Sequence, residues 1–541
     1  MNDSLPIVPW KPALEQGARV AVTGASGGVG GHVVRLLAAA GLSIVAIDRI
    51  PLIETPLWDD LAADGSRARV EWHQINLAYL QDHSGLLQGC SALVHCAALV
   101  SLTEGTSDFE AQNVEVSRRL FEAAREVGVE HIVMMSCAAL YKPAAGMIDE
   151  GSEVALENAY ERSKRAAEEL LEEGSFGDGW TILRPGHVYG PYCKTMGANF
   201  ATLPPILRQV VSYLPGLSGG PRSTWCHAED AARAVLFVLG REQTRGEIFN
   251  VGDATPLGFG EVLTTITEAI GLEIGPMLPF PAAITRGVLA PLINNEPFFD
   301  MLRRVLRQRW KKVQAKHHIR SPLRPRVDRN ALLYTRGDMI LDTSALRALG
   351  WEPRWENLRV GIVDAVRWYQ QAGWLPSYDT QTMAELELAE YAAGVGFVEE
   401  LEGKLHLASG GMRKVAIELD VSFSSLGAMT LKHRGHLDGT IAIEGMVRAG
   451  EVLGTIEVDL FSSKVFYEFG FRADDGMAHR FAGEKHLGGR HPLRALENLD
   501  GELYDARGEL IGELMLAYDL GARLLPLLAS LRFLLREDAS V

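Results

Sequence analysis

The sequence predicts an α/β fold: a doubly wound parallel sheet with a small substrate subdomain, followed by a separate antiparallel all-β domain. Three observations lead there. Short apolar runs alternate with helical stretches from ARVAVTGA to WTILRP, the pattern of parallel βαβ units. A glycine-rich turn joins the first run to the first helix. Beyond about residue 397 apolar residues recur at every second position, as in KVAIELDVSF and KVFYEFGF, the period of half-buried strands.

Taken in order, ARVAVTGA is a β-branched run ending in glycine. HVVRLLAAAG has helical periodicity and a glycine stop, and LSIVAID is a second buried strand ending in an acid. SALVHCAA, VEVSRRLFEAAREVG, EHIVMMS, YERSKRAAEELLEE and WTILRP continue the alternation. From about Thr255 the pattern loosens into a stretch rich in proline, aromatic and basic residues; order returns near Asp342 and in VGIVDAVRWYQQAGWL. Residues 1–376 therefore form the α/β unit, with a nucleotide-binding core over about 17–185 plus 223–252 and a substrate part over about 186–222 and 253–376. Residues 377–396 read as a linker with a short helix. Residues 397–541 read as a β barrel or sandwich, closed by a terminal amphipathic helix in RLLPLLASLRFLL. The Asp- and Gly-rich pieces 437–440, 474–476 and 500–501 read as its turns.

The chain has 541 residues and a net charge of −16, which argues against general nucleic-acid binding. Its five cysteines lie in the first half without metal-ligand spacing. They read as reduced thiols of a cytoplasmic protein, and no metal site is expected. The opening MNDSLPIVPWKP has neither a basic run nor a long apolar run, so no secretory signal is expected. No apolar stretch is long enough for a transmembrane helix.

In TGASGGVG, Gly24, Gly27 and Gly30 recur at every third residue between a strand and a helix. Glycines there let a pyrophosphate approach the backbone, and the helix N-terminus offers free N–H groups and a positive dipole end. Asp48 ends the next strand, eighteen residues after Gly30. Its carboxylate can accept both ribose hydroxyls and would repel a 2′-phosphate, so NAD is expected rather than NADP. Arg49 beside it could stack on adenine or meet a phosphate. Further on, Tyr160 and Lys164 share one helix face. A phenol titrates at about 10, and a nearby ammonium brings that value toward neutral pH.

These residues, in this order, resemble the extended short-chain dehydrogenase/reductase (NAD-dependent epimerase/dehydratase) superfamily over roughly residues 17–376. The likeness rests on TGASGGVG, Asp48, LVHCAA, Asn113, YERSK and LRPGHVYGP. It implies a Rossmann sheet, bound NAD, and Tyr160 and Lys164 as the catalytic pair. Asn113 would hold a water of the proton relay, bend its helix, or do both. On the cofactor wall the resemblance adds Ser26, Gly28, Val29, Asn76, Leu77, Ala97, Ala98, Pro185 and Val188, with Lys164 reaching the nicotinamide ribose. Asn76 stands where the family usually has an Asp at the adenine. In the family a Ser or Thr sits four residues before the tyrosine of the S-x-A-x-Y segment. Counting back from Tyr141 lands on Cys137, with Ser136 beside it. Three roles stay open: either side chain orients the reacting oxygen; Cys137 packs under the nicotinamide while Ser136 caps the strand; or Cys137 is a redox-sensing thiol.

The RPGH segment looks more like the 3β-hydroxysteroid dehydrogenase branch than like the nucleotide-sugar enzymes. It implies hydride transfer on an alcohol or ketone of a sterol-like or other lipophilic substrate. A nucleotide-sugar epimerase or dehydratase, and a non-catalytic NAD-bound scaffold or sensor, are the alternatives. In residues 298–316, Phe299, Leu302, Leu306 and Val313 share a helix face and Lys/Arg fill the rest. Either peripheral membrane contact or a solvated cap over the substrate cleft follows. A homodimer is one open assembly. The C-terminal domain resembles β modules fused to oxidoreductases of lipid metabolism, and is expected to bind an apolar ligand or partner without doing chemistry.

Overall fold

The computed structural model describes residues 12–63, 65–79, 84–100, 109–144, 146–174, 176–195, 197–209, 214–280, 296–325, 337–378, 392–423, 432–459, 464–486, 498–517 and 532–535. The opening residues, most of the expected linker and most of the expected terminal helix lie outside them.

The nucleotide-binding strands are β1 (Arg19–Thr23), β2 (Ser43–Asp48), β3 (Val70–Gln74), β4 (Ala92–His95), β5 (His131–Met135), β6 (Trp180–Pro185), β7 (His187–Tyr189), β8 (Trp225–His227) and β9 (Glu247–Val251). Seven form one parallel sheet in the order β9-β6-β5-β4-β1-β2-β3, while β7 and β8 pair separately. The helices used below are α1 (Gly28–Ala39), α2 (Glu115–Glu126), α3 (Ala159–Glu172), α4 (Ala228–Val238), α5 (Glu296–Lys316) and α6 (Leu358–Gln371). Every residue of β5 and β6 is buried, as expected for strands covered on both faces. Strand order reverses between β1 and β4, so a crevice opens at their carboxyl ends, where such sheets bind ligands.

The substrate part has its own apolar core, built from Tyr189, Trp225, Ile362, Tyr369 and residues of α5. In α5, Phe299, Trp310 and Val313 are fully buried and Leu306 packs on that core. Arg304, Arg307, Lys311, Lys312 and Lys316 are exposed. The apolar stripe expected to dip into a membrane is thus occupied by the protein's own core, and the helix turns a basic face outward. No helix among the described residues is long and apolar enough to cross a membrane.

The C-terminal unit is a barrel, not a sandwich. Strands β10 (Ala392–Leu407), β11 (Met412–Phe423), β12 (Lys432–Ile443), β13 (Val447–Asp459), β14 (Lys464–Arg472), β15 (Ala478–His486), β16 (Asn498–Asp505) and β17 (Leu510–Ala517) pair antiparallel in sequence order. The ring closes where the second half of β10 pairs with β17. The first half of β10 instead pairs with β18 (Arg532–Leu535). Two expectations are corrected here. Residues 392–396 are strand rather than linker, and 532–535 are strand rather than helix, because each supplies the other's ladder partner. Of the expected turns, 474–476 is one, but 437–440 and 500–501 run inside strands. Ladders on both sides outweigh their turn propensity, and Gly501 leaves room for the Phe481 ring.

The barrel interior is apolar around Leu405, Leu419, Phe469 and Phe481, and among the described residues it also holds a buried ion pair. Lys485 Nζ donates to Glu399 at 2.6 Å and Tyr467 Oη donates to the same carboxylate at 3.0 Å. Breaking a buried pair strands an uncompensated charge. Glu399→Leu alone should therefore lower the barrel's unfolding free energy by about 3–5 kcal/mol in urea titrations. The triple change Glu399→Leu, Tyr467→Phe and Lys485→Met should cost clearly less. Equal losses would show that charge burial is not the determinant.

Candidate active site

A cavity of about 480 Å³ lies over the carboxyl ends of the sheet strands. Its wall contains every cofactor residue expected from the sequence, from Gly24, Ser26, Gly27, Gly28, Val29 and Gly30 through Asp48, Arg49, Asn76, Leu77, Ala97 and Ala98 to Pro185 and Val188. It also contains Ser136, Cys137, Tyr160 and Lys164.

The nucleotide end is set by the turn into α1. A β-carbon at Gly30 would run into the Gly24 carbonyl, so only glycine lets the chain fold back and aim the α1 N-terminus into the cavity. Asp48 accepts hydrogen bonds from the Ser26 N–H at 2.9 Å and the Ile50 N–H at 3.0 Å. These hold the carboxylate at the β2 end, where a ribose would lie. Asn76 Oδ1 accepts from the Ala78 N–H at 3.1 Å, which fixes the next turn. The cradle fits a dinucleotide.

At the other end, α3 begins with a capping box. Asn158 Oδ1 accepts from the Glu161 N–H at 2.9 Å and the Glu161 carboxylate accepts from the Asn158 N–H at 3.1 Å. The box fixes the first turn of α3 and with it Tyr160. One turn later Lys164 is buried, its Nζ donating to the Met135 carbonyl at 2.6 Å. Burial lowers the Lys164 pKa, with Cys137, Glu168 and Cys96 opposing the shift.

Residues 136 and 137 have different surroundings. The Cys137 thiol lies close enough to the Tyr160 side chain and the Ala139 backbone for both to favour its ionised form. Burial pushes its thiol up to about 11 despite nearby Lys164, and Cys96, also on the wall, up to about 12. Both are neutral near pH 7, which is the wrong state for a redox-sensing thiolate. Among the described residues Ser136 Oγ is buried without a hydrogen-bond partner. Asn113 is not on the wall. It sits in a π-helical turn, Glu110–Val114, leading into α2. Its Oδ1 accepts from the Leu99 N–H at 2.7 Å, and its Nδ2 donates to the Leu99 carbonyl at 3.2 Å and to Ser163 Oγ at 2.9 Å. Those bonds use both amide protons and leave Oδ1 one further acceptor site.

Asn113 belongs to a hydrogen-bond chain that sequence reading missed. Ser163 donates to the Tyr160 carbonyl at 2.7 Å, and Ser117 donates to the Asn113 carbonyl at 2.6 Å. His95 Nε2 hydrogen-bonds with Ser117 Oγ at 3.0 Å and His95 Nδ1 with Thr23 Oγ1 at 2.8 Å. Thr23 Oγ1 accepts from the Ala97 N–H at 3.2 Å. Through Ser117, Asn113 and Ser163, His95 ties β1 to α3. Also missed were wall residues 192–195, Thr224, Met339 and Leu341. Only the Lys in the apolar YGPYCKT segment gave any signal for them.

Residues 20–252 match the NAD dependent epimerase/dehydratase family. A dTDP-4-dehydro-6-deoxy-D-allose reductase of a Streptomyces species is 32% identical over 49% of this chain and 86% of that protein. The chain belongs to this family. Ceramide reductase of Caulobacter vibrioides is 28% identical over 66% of this chain and 96% of its own length. Among solved structures, a dTDP-glucose 4,6-dehydratase of Streptomyces venezuelae aligns at 22% identity with a TM-score of 0.49, covering 66% of this chain and 98% of that one.

The raised thiols give a direct test. Near neutral pH iodoacetamide should alkylate Cys137 and Cys96 more than about tenfold slower than an exposed thiol, read site by site by peptide mass spectrometry. Fast labelling of either would show that it carries a thiolate.

Proposed function

We propose that this chain is an NAD-dependent oxidoreductase interconverting an alcohol and a ketone on a lipophilic substrate, sterol-like or another lipid. The wall beside Tyr160 carries the reading. Leu99, Val100, Ala138, Val188, Met339 and Leu341 line the cavity there, and Ala138, Met339 and Leu341 share one apolar cluster. Among the described wall residues the remaining cations are Lys164, bonded beneath Met135, and Arg49 and Lys194, whose charges lie near Asp48. A nucleotide sugar brings its own diphosphate and calls for cations at the substrate end. The similarity to a ceramide reductase, a lipid enzyme by name, supports the same reading.

The glycine turn and the α1 N-terminus would hold the pyrophosphate, Asp48 the ribose hydroxyls and Asn76 the adenine. When bound, the cofactor would supply the hydride chemistry, NADH as donor in reduction and NAD+ as acceptor in oxidation. Tyr160 gives its phenolic proton to the substrate oxygen in reduction and takes it back in oxidation. Lys164 stabilises the phenolate formed in between. The Cys137 thiol, against the Tyr160 side chain, orients the oxygen as a weak donor, and Ser136 offers a hydroxyl to a ligand on the same wall. Asn113 positions the loop at Leu99 and the start of α3.

The nucleotide-sugar reading is supported by several relatives, among them the 32% identical dTDP-sugar reductase and a UDP-glucose 4-epimerase of Lacticaseibacillus casei. Purified protein with NADH should reduce long-chain or sterol-like ketones and leave dTDP- and UDP-keto sugars untouched; the opposite pattern would overturn the substrate class. Tyr160→Phe should lower kcat by about 10²–10⁴ with NADH affinity unchanged. Undiminished turnover would remove Tyr160 from the chemistry. Cys137→Ser should raise kcat several-fold, whereas a silent change on a protein inert toward every alcohol and ketone tried would favour the scaffold.

A further inference from the structure

The loop after β7 crosses from the substrate part onto the cofactor turn. Tyr192 has φ of 63°, a left-handed conformation rare outside glycine. Packing holds it there. Its hydroxyl bonds Asp60, and its ring sits 4.9 Å from that of His32 and edge-on to Trp368 at 5.2 Å. Cys193 comes next and lies directly against Gly28, where a β-carbon would run into its sulfur. This seats Lys194 on the same cavity wall as Gly28, Asp48 and Arg49. Lys194 Nζ lies 5.8 Å from the Trp374 ring centre and makes no ion pair among the described residues. Burial and Arg49 lower its pKa while Asp48 raises it.

We propose that Lys194 is a phosphate-binding residue of the dinucleotide site, set beside the glycine turn. The proposal rests on the dinucleotide reading and adds the missing cation. The α1 N-terminus and its glycines supply N–H donors to a pyrophosphate but no full charge. A half-buried ammonium beside that turn supplies one, on a residue whose neighbour Cys193 packs against Gly28. The bridging diphosphate is the target rather than a 2′-phosphate, because the Asp48 carboxylate occupies the ribose end and repels the latter.

The test is calorimetric titration of the full chain with ADP-ribose, 2′,5′-ADP and adenosine. Lys194→Met keeps the apolar stem and should weaken ADP-ribose about tenfold, the scale of one charge-assisted bond, with adenosine unchanged. The difference should shrink as salt rises, and Lys194→Arg should recover most of the affinity. Unaltered ADP-ribose binding, or an equal loss for adenosine, would overturn the proposal. A loss confined to 2′,5′-ADP would overturn the diphosphate assignment. If the parent chain binds none of the three, the dinucleotide reading itself fails. An unchanged thermal midpoint of the ligand-free variant separates these outcomes from unfolding.

Discussion

A buried ammonium without a carboxylate in contact is the constraint on which the active site depends. Lys164 is almost wholly removed from water, and its ammonium donates to the Met135 carbonyl at the end of β5. Desolvation penalises that charge, so the surroundings must offset it from a distance. Glu168, one turn further along α3, contributes to the field but bonds Arg184, at 2.9 and 2.6 Å. Two thiols near the ammonium stay protonated because burial outweighs its attraction. A charge that cannot convert its thiol neighbours remains available to the phenol of Tyr160.

The same Arg184 fixes the other side of the site. Its guanidinium also donates to Tyr141 Oη at 3.0 Å, and that hydroxyl donates to Asn250 Oδ1 at 2.8 Å. Asn250 in turn donates to the carbonyls of Ile148 and Asp342. The segment carrying Ser136 and Cys137 is therefore held from both ends, by β5 and by Tyr141. The strand pair at Ile340–Leu341 is tied to the sheet through the same amide. Packing of this kind keeps a reacting oxygen and its donors in register without contributing a reacting atom.

Much of this was legible in the sequence because it is written in local spacing. Glycines at every third residue, an acid ending the second strand and an i, i+4 Tyr/Lys pair each encode their geometry within one βαβ unit or one helix turn. Illegible features are those made by distant segments. Met339 and Leu341 reach the wall only because strands far apart in sequence pair there. The role of Asn113 could not be read because its partners, Leu99 and Ser163, come from other elements. The α5 stripe read as amphipathic, and periodicity alone cannot tell a membrane from a protein core as its cover. The barrel's Asp-Gly pairs misled for the opposite reason: turn propensity is local, and the ladders on either side overrode it.

The thiol at residue 137 sharpens rather than weakens the assignment of Tyr160. A neutral thiol donates weakly and over a longer distance than a hydroxyl, so in the proposed reaction the strong hydrogen bond to a developing alkoxide would fall to the phenol. The chain has not lost a hydroxyl from this wall. Ser136, the preceding residue, keeps one buried and unpartnered, a state that costs stability unless a ligand completes it. A soft, poorly hydrated thiol beside Ala138, Met339 and Leu341 also lowers the polarity of the pocket floor. That suits an apolar substrate carrying a single oxygen better than a sugar with several hydroxyls, each needing a partner.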